Sequence, residues 1–373
     1  MKIGYLPGVF DLLHNGHINI IQVAIRMCGR IVIGVHTDEF VSAYKRKPTQ
    51  TEDERVNAIV KYFGVSIYAV EIVGSSHLEI IRKYNVSHIF HGTDWELESY
   101  KRQIRYYEDN LDIIIEMVPY TQGVSTSLIL SDIDKYKDVD CILFDLDNTL
   151  LLNGLPTNQA VECIRFMQDN NIDIQVITNN NNYTPNQIAS SLTKVGMNIS
   201  EQHIFSSLKQ VHSYLMSHPQ YVNIYVWGSN NATSYLHSNF NLCSNINVAD
   251  IIILLYKSDF IYNELCELIT YIKQGVPYIV GNIDLTYPDK QIVKPDTGSI
   301  YNMIISITGI QPLWICGKPN VGICDIRSDK KYIMVGDSLL TDAKLAENMN
   351  IHFFHKTDVS DLGVLLTKLR LSR

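Results

Sequence analysis

The first candidate for chemistry is a short segment in which glycine, aspartate and histidine recur at close spacing. Its residues of interest are Gly8, Val9, Phe10, Asp11, His14, Gly16 and His17. His14 and His17 are three residues apart, so they share one face of an opening helical turn and can both donate to phosphate oxygens. Gly8 and Gly16 let the backbone approach a polyphosphate, and a helix N-terminus adds unpaired N–H groups. Such a site stabilises charge developing on an α-phosphate and on departing pyrophosphate, without a protein nucleophile.

The second candidate is a pair of carboxylates at the end of an apolar run. Asp145 and Asp147 are two residues apart and follow the segment that begins at Cys141. One carboxylate can act as a nucleophile that forms an aspartyl phosphate, and the other as a general acid and base. A Mg²⁺ ion beside them would reduce the repulsion between Asp145 and a phosphate dianion.

Further polar groups follow in the order that this reaction needs. Thr178 and Asn179 end a later strand and offer a hydroxyl and an amide to phosphoryl oxygens. Lys318 supplies a cation that can neutralise developing charge. Asp337 and Asp342 complete an acidic end for the metal. Each residue alone is compatible with an ordinary loop, but the ordered set favours phosphoryl chemistry.

The elements that must position the first segment alternate apolar runs with amphipathic stretches. Helical spacing of apolar residues marks 17–27 and Leu78–Tyr84, whereas strands are predicted at 3–6, 31–35, 67–73, 88–91 and 113–118. Continuous apolar strands that alternate with helices predict a parallel sheet covered on both faces. Ligands of such sheets bind outside the carboxyl ends of the strands, and the first segment follows a strand there.

A polar stretch at 131–138 interrupts this pattern and is predicted to be a linker. A second alternating series then begins at Cys141, with later strands predicted at 172–177 and 332–335. The long insertion has strand-like runs of its own at 224–227, 251–255 and 278–280. The predicted fold class is therefore α/β, with two Rossmann-like parallel-sheet domains at 1–130 and 139–373. The second domain carries an inserted α/β cap at about 208–308.

Composition narrows the class of protein. The 373 residues carry a net charge of −8 and are 46% hydrophobic, which gives no general reason to expect a nucleic acid partner. Seven scattered cysteines make disulfide frameworks and metal clusters unexpected. No run of about 18 apolar residues could span a membrane, and the N-terminus does not read as a signal peptide, so a cytoplasmic protein is expected.

Residues 1–130 resemble the HxGH nucleotidyltransferase superfamily, and specifically the glycerol-3-phosphate cytidylyltransferase family. The resemblance rests on the segment from Gly8 to His17 together with residues 37–40, 45–47, 54–55, 92–96 and 123–127. It implies that Asp94 accepts a hydrogen bond from the cytosine amino group and that Arg46 and Arg55 meet CTP phosphates. The other implied nucleotide contacts are Gly8, Val9, Phe10, Gly16, Thr121, Gly123, Ser125, Thr126 and Ser127.

The same resemblance has departures on the side of the second substrate. Tyr120 and Tyr44 stand where the family has cations, although Lys45 is a candidate replacement for the second. The acceptor is therefore expected to be glycerol 3-phosphate or a relative among small polyol, sugar or phosphonate compounds.

Residues 139–373 resemble the haloacid dehalogenase superfamily of phosphatases, in the subgroup with a large α/β cap. The resemblance implies that Asp145 is the nucleophile and that Asp147 is the general acid and base. Thr178 and Lys318 would hold the phosphoryl group. Mg²⁺ would be bound by Asp145, by the Asp147 carbonyl and by Asp337.

The leading hypothesis is a bifunctional enzyme that uses CTP, a small phosphorylated acceptor and a phosphomonoester, with neither nucleic acid nor membrane as partner. An alternative keeps the first fold but uses ATP. Another treats one half as a non-catalytic regulatory module. A homodimer is an expectation from the transferase resemblance alone.

Overall fold

The computed structural model describes residues 2–93, 98–119, 130, 132–289, 292–357 and 361–373. These residues form two compact units, and the division between them falls after Ile133. In the second unit, Ile133–Tyr136 leads in as a short 3₁₀ turn, and Tyr136 is buried with its hydroxyl 3.0 Å from Nε2 of His352. Part of the segment predicted as a linker is thus packed into the second unit.

The first unit is a five-stranded parallel sheet with helices. Its strands are β1 (Ile3–Gly8), β2 (Arg30–His36), β3 (Ala69–Val73), β4 (His88–Gly92) and β5 (Ile114–Val118). Its helices are α1 (Asn15–Cys28), α2 (Asp38–Ser42), α3 (Glu52–Phe63), α4 (Leu78–Tyr84) and α5 (Glu98–Leu111). The strand order is β3-β2-β1-β4-β5, and each neighbouring pair is parallel. All five strands predicted for this part of the sequence are present.

Successive residues of the central strands face opposite sides of this sheet. Leu6 and Ile33 belong to one apolar cluster, whereas Tyr5 and Val32 belong to another. This alternation follows from the two-residue period of a strand, and it requires apolar side chains at every position because helices cover both faces. Burial of both faces of the sheet is therefore the reason for the continuous apolar runs in the sequence.

Local signals set the helix boundaries. Helix α1 ends at Gly29, which adopts the left-handed conformation with φ of 74° and returns its N–H to the Ile25 carbonyl. Helix α3 begins with a capping box in which Thr51 and Glu54 bond to each other's backbone N–H groups.

The second unit contains two parallel sheets. Its strands are β6 (Cys141–Asp145), β7 (Leu151–Leu152), β8 (Leu155–Pro156), β9 (Asp173–Thr178), β10 (Ile204–Ser206), β11 (Ile224–Trp227), β12 (Ile251–Leu254), β13 (Tyr278–Val280), β14 (Thr286–Asp289), β15 (Ile292–Pro295), β16 (Trp314–Ile315), β17 (Tyr332–Gly336) and β18 (His352–His355). Its helices are α6 (Ala160–Asp169), α7 (Pro185–Lys194), α8 (Ser207–Ser217), α9 (Asn230–His237), α10 (Tyr262–Lys273), α11 (Thr297–Thr308), α12 (Asp342–Met349) and α13 (Leu362–Leu371).

The larger sheet has the order β10-β9-β6-β17-β18, and the inserted segment forms a second sheet in the order β11-β12-β13-β16. The inserted sheet continues to Ile315, beyond the limit near residue 308 that the sequence predicts, because β16 pairs with β13 before the chain leaves it. Two parallel-sheet units, the second with an inserted α/β segment, confirm the predicted fold class.

None of the helices described is both long enough and apolar enough to cross a membrane.

A close contact inside the first unit gives a test of its packing. A Cβ atom at Gly34 would lie 2.9 Å from two ring carbons of Tyr5, which is fully buried. We expect Gly34→Ala to lower the free energy of unfolding of this unit by roughly 1–3 kcal/mol, since the Tyr5 ring has no room to retreat. Hydrogen exchange of peptides from the first unit measures the change.

The matched control is Gly74→Ala in the same unit, because a Cβ atom at Gly74 meets nothing within 4 Å. We expect its effect to stay within about 0.5 kcal/mol. Equal protection of the two variants would contradict this account of the packing.

Candidate active sites

The loop between β1 and α1 has an unusual backbone that other segments hold in place. Phe10 and Leu12 have φ of 56° and 52°, a left-handed region that costs non-glycine residues free energy. The carboxylate of Asp11 between them accepts hydrogen bonds of 3.0 Å from the backbone N–H groups of Thr49 and Gln50. The Gln50 side chain in turn accepts from the Leu12 N–H at 2.9 Å. Three hydrogen bonds from or to Thr49 and Gln50 therefore hold this loop in its left-handed conformation.

His14 and His17 meet at the start of α1. Their rings stack with centroids 3.8 Å apart and an interplanar angle of 16°. Within the described part of the chain, Nδ1 of each ring is buried and has no hydrogen-bond partner. Burial lowers the pKa of His14 to about 4, and burial together with the charges of His14 and Lys45 holds the pKa of His17 well below its usual range. Both imidazoles are thus neutral near pH 7, each with one N–H to donate.

The glycines of the segment lie where close approach is needed. A Cβ atom at Gly8 would be 3.0 Å from the Phe10 ring, so the strand end and the loop fit together only without a side chain there. Gly16 lies in the first turn of α1. The sequence predicts that Gly8 and Gly16 accompany His14 and His17. All four residues lie at the carboxyl edge of the sheet.

The two predicted arginines occupy different places. Arg46 is partly exposed, and its guanidinium lies 3.3 Å from the Asp11 carboxylate. Arg55 is fully buried and donates to the Asp38 carboxylate, to the Val9 carbonyl at 2.6 Å and to the Gln50 carbonyl at 3.1 Å. Arg55 is therefore not exposed for the phosphate contact that the sequence predicts. Its guanidinium instead bonds to three other segments of the chain, at Val9, Asp38 and Gln50.

The remaining predicted contacts of the first site lie outside the described residues. They are Asp94, Thr121, Gly123, Ser125, Thr126 and Ser127.

Three further histidines lie at the same edge, and the sequence analysis did not single them out. His36 is the last residue of β2, His91 lies near the end of β4, and His77 precedes α4. All three are buried. Burial lowers the pKa of His36 and His91 to about 3 and that of His77 to about 4. The sequence signal that could have identified these three histidines as candidate site residues is their position at or after the ends of predicted parallel strands.

The second unit also gathers polar groups at the carboxyl ends of its central strands. Asp145 ends β6, Thr178 ends β9, and Asp337 follows β17. Because β6 lies between β9 and β17 in the sheet, these three ends are neighbours. The site that the sequence predicts is assembled at this edge.

A buried lysine joins two of the carboxylates. The Lys318 ammonium donates to Asp145 and, at 2.6 Å, to Asp342. Burial opposes the charge of Lys318, but the two carboxylates outweigh it and raise the pKa of the ammonium. Burial also raises the pKa of Asp145 above its usual range, while the Lys318 charge acts in the opposite direction. A buried charge of this kind is stable only when it is paired, as here.

The acidic residues fit a divalent metal ion. One carboxylate oxygen from each of Asp145, Asp337 and Asp342 lies within 4.8 Å of the others. Hard cations such as Mg²⁺ prefer oxygen ligands of this type. The approach of Asp342 depends on Gly336, where a Cβ atom would lie 2.6 Å from the Cβ of Asp342. Asp342 thus lies within the acidic group, together with Asp145 and Asp337.

Asp147 lies at the rim of this group. Its side chain is exposed, unlike that of Asp145. It precedes the short β7–β8 hairpin and forms an isolated bridge with Leu151. An exposed carboxylate beside a buried one suits proton exchange with a leaving group and with water.

Thr178 and Asn179 follow one another but have different surroundings. Thr178 is buried at the strand end, and its hydroxyl accepts from the Asn180 N–H at 3.1 Å. The Asn179 amide instead accepts from the Lys318 N–H at 2.6 Å and donates to the Lys318 carbonyl at 3.3 Å. Its backbone carbonyl accepts from Ser207 and Asn282 at 2.8 Å. In place of the predicted phosphate contact, Asn179 holds the loop that carries Lys318.

Comparisons with known proteins agree with this second site. Residues 142–239 match the family described as haloacid dehalogenase-like hydrolase. A dihydroxyacetone phosphatase from Corynebacterium glutamicum is 28% identical over 208 residues, which are 54% of this chain and 75% of that protein. The second unit contains a haloacid dehalogenase-like hydrolase region.

Two other similarities are to a solved structure and to a bifunctional protein. A glycerol phosphate phosphatase from Mycobacterium tuberculosis, solved in complex with magnesium, aligns with a TM-score of 0.55 at 20% identity and covers 64% of this chain and 80% of its own. The bifunctional protein HldE of Caulobacter vibrioides is 31% identical over 101 residues, which are 26% of this chain and 21% of that protein.

The buried histidines of the first unit give a pH-dependent stability. Four of these histidines have a folded-state pKa of about 3 or 4, against 6.5 in the unfolded chain. They are His14, His36, His77 and His91. Between about pH 4 and pH 6.5 the unfolded state therefore binds more protons than the folded state. The free energy of unfolding is highest above pH 6.5 and falls as the pH drops below it. We expect a loss of about 1 kcal/mol per histidine between about pH 7 and pH 5.5. Hydrogen exchange of the first unit, corrected for intrinsic rates, measures this loss.

A matched pair of variants isolates the cause. His91→Gln should make the loss shallower by about 1 kcal/mol, since one buried titrating group is removed. His237→Gln replaces an exposed histidine of α9 and should leave it unchanged. A first unit equally protected at both pH values would refute the assignment of neutral histidines.

Proposed function

We propose that the chain is a bifunctional enzyme of phosphate chemistry. Its second unit hydrolyses phosphomonoesters through an aspartyl phosphate on Asp145. Its first unit transfers a cytidylyl group from CTP to a small phosphorylated, polyol-like acceptor and releases pyrophosphate. The observation that carries the hydrolase half is the joining of Asp145 and Asp342 by the buried Lys318, with Asp337 beside them.

The first half of the hydrolysis forms a covalent aspartyl phosphate, which is a mixed anhydride of the carboxylate and phosphate. A carboxylate oxygen of Asp145 attacks the phosphorus, and the bond from phosphorus to the leaving oxygen breaks. The exposed Asp147, in its acid form, gives its proton to that oxygen, so the alcohol leaves neutral. In this proposal Lys318 and Thr178 bind the phosphoryl oxygens, on which negative charge gathers. The contact of Lys318 with Asp145 supports its part in this.

The second half restores the enzyme. Asp147, now ionised, takes a proton from water as that water attacks the phosphorus, and the bond from phosphorus to the Asp145 oxygen breaks. Phosphate leaves and the Asp145 carboxylate is regenerated. Mg²⁺, held by Asp145, Asp337 and the Asp147 carbonyl, would supply positive charge that offsets repulsion between nucleophile and phosphate. The relation to a phosphatase solved with magnesium supports this choice of metal.

The nucleophile can be tested directly. Asp145→Asn keeps the shape of the side chain but removes the attacking carboxylate, so kcat for p-nitrophenyl phosphate and dihydroxyacetone phosphate should fall by at least about 10³-fold. Removal of divalent metal with EDTA should abolish turnover of the unaltered chain, and added Mg²⁺ should restore it. Phosphate release measures both effects.

Asp259→Asn is the control, since Asp259 is an exposed aspartate of the same unit. It should retain full activity. Turnover by Asp145→Asn at the level of the control would overturn the assigned mechanism.

The transferase half rests on the stacked pair His14 and His17 at the carboxyl edge of the first sheet. In the proposed reaction a phosphate oxygen of the acceptor attacks the α-phosphorus of CTP, and the bond to pyrophosphate breaks. The two neutral imidazoles donate hydrogen bonds to oxygens whose charge increases, and the N-terminus of α1 adds its own field. The similarity to a bifunctional protein over 101 residues and the HxGH resemblance support this half.

Cytosine recognition is the finer part of this proposal and comes from the Asp94 resemblance alone. ATP is the competing nucleotide, and the assay below decides between the two. A chain that releases pyrophosphate faster with ATP than with CTP would transfer adenylyl groups instead.

Pyrophosphate release tests the transferase half without interference from the hydrolase when Asp145→Asn is the background. In that background, CTP with glycerol 3-phosphate should give turnover. The further change His17→Asn should lower kcat by about 10²–10³-fold, because one preorganised donor is lost.

His88→Asn is the matched control. His88 is a buried histidine of the same unit, but it begins β4 and therefore lies at the opposite edge of the sheet. It should keep kcat within a few fold. If no nucleotide and no phosphorylated polyol or sugar gives pyrophosphate, the transferase proposal is wrong.

A further inference from the structure

Five histidines of the first unit lie at the carboxyl edge of its sheet, and the transferase proposal uses only two of them. His14 and His17 follow β1. His36 ends β2, His91 lies in β4 and His77 follows β3. Since substrates of open parallel sheets bind along this edge, the other three are placed beside the reacting groups.

Hydrogen bonds and ring contacts join part of this group into a chain that reaches the surface. The Tyr5 hydroxyl lies 2.7 Å from Nδ1 of His77, and the His77 ring lies 5.6 Å from that of His36. Nδ1 of His36 is 3.3 Å from the Tyr44 hydroxyl. Exposure rises along the chain from 0% at Tyr5 through 1% at His77 and 5% at His36 to 40% at Tyr44. Tyr44 is thus the member that a ligand can touch first.

The exposed end of this chain is rigid. The Phe40 ring contacts the His36 ring at 5.0 Å and the Tyr44 ring at 5.1 Å. Phe40 also lies in α2, whose start is capped by the Thr37 side chain. The hydroxyl of Tyr44 is therefore presented in a fixed direction.

This end also lies close to the reacting pair. Tyr44 precedes Lys45, whose charge acts on His17. The buried Arg55 acts on both His36 and Tyr44 and bonds to the Val9 carbonyl in the loop that leads to His14. Val35, the residue before His36, pairs with Gly8 at the end of β1, so the end of the chain at His36 and Tyr44 lies beside the loop that leads to His14.

The charges around this end favour one class of ligand group. Burial keeps the His36 imidazole neutral, and the Tyr44 hydroxyl is a neutral donor and acceptor. Arg55 is already bonded to the Asp38 carboxylate, so this carboxylate is not available to pair with a cationic ligand group. Neutral groups that both donate and accept match the hydroxyls of a polyol.

We propose that Tyr44 and His36, with His77 and Tyr5 behind them, form the subsite that binds the hydroxyl-bearing end of the acceptor in the first unit. This subsite rests on the proposed transferase function. Specificity here comes from directed hydrogen bonds between neutral groups.

The test compares acceptors and variants in the Asp145→Asn background, with pyrophosphate release as the readout. The acceptors are glycerol 3-phosphate and ribose 5-phosphate, which carry free hydroxyls, and phosphocholine, which carries a cation. The unaltered subsite should prefer the first two. Tyr44→Phe should raise KM for them by roughly three- to tenfold, the loss of one neutral hydrogen bond, while KM for CTP and kcat stay within twofold.

His36→Leu should raise the same KM, because Tyr44 loses the partner that orients its hydroxyl. Tyr68→Phe is the matched control, since Tyr68 is a partly exposed tyrosine of the same unit that packs on Tyr84 and Arg30. It should leave every KM unchanged. KM for phosphocholine should not rise in Tyr44→Phe, which keeps the aromatic ring.

The outcomes separate the two levels of the proposal. Turnover with CTP and an acceptor KM that Tyr44→Phe does not alter would overturn the subsite and leave the transferase standing. A preference for phosphocholine would overturn it as well. If no acceptor gives pyrophosphate, the transferase and its subsite fall together.

Discussion

Parallel pairing at the centre of each unit is the constraint on which both candidate sites depend. β1 lies between β2 and β4, and β6 lies between β9 and β17. When neighbouring strands run the same way, the segments that leave their carboxyl ends emerge side by side, however far apart they are in sequence. Thr178, which ends β9, and Asp337, which follows β17, lie beside Asp145 for this reason. The apolar strands themselves carry no chemistry; they bring together the loops that do.

A buried cation organises each edge, but the two cations differ in what they bind. Lys318 is held between two carboxylates, so its charge is more than balanced and the group as a whole can accept a metal ion. Arg55 meets one carboxylate and two backbone carbonyls, so its planar guanidinium fixes backbone positions in three loops. One cation therefore belongs to the reacting groups, and the other to the frame around them. Loss of Asp38 would leave the buried Arg55 without a carboxylate partner, at a cost of about 3–5 kcal/mol.

Much of this arrangement follows from the sequence because the signals are local. Runs of apolar residues predict the strands, and the polar residues that follow them predict the edges, so Asp145, Thr178 and Asp337 could be placed together. Partners that depend on packing could not. An arginine in the charged first turns of a helix gives no sign that it will be fully buried, as Arg55 is. Asn179 likewise gives no sign that its amide will bind the backbone of Lys318. His36, His77 and His91 are ordinary residues until strand order places them at one edge.

The position of Lys318 in the chain also bears on the order in which the protein is made. The described part of the first unit up to Ile133 is continuous in sequence, so it can fold while later residues are still being added. The second unit cannot, because its central strand β6 waits for β17, and the inserted sheet must be completed by β16 before Lys318 arrives. Until then the Asp145 carboxylate lacks its ammonium partner, and β6 lacks a neighbouring strand on one side. The edge that carries Asp145, Asp337 and Lys318 is consequently among the last parts of the second unit to form during synthesis.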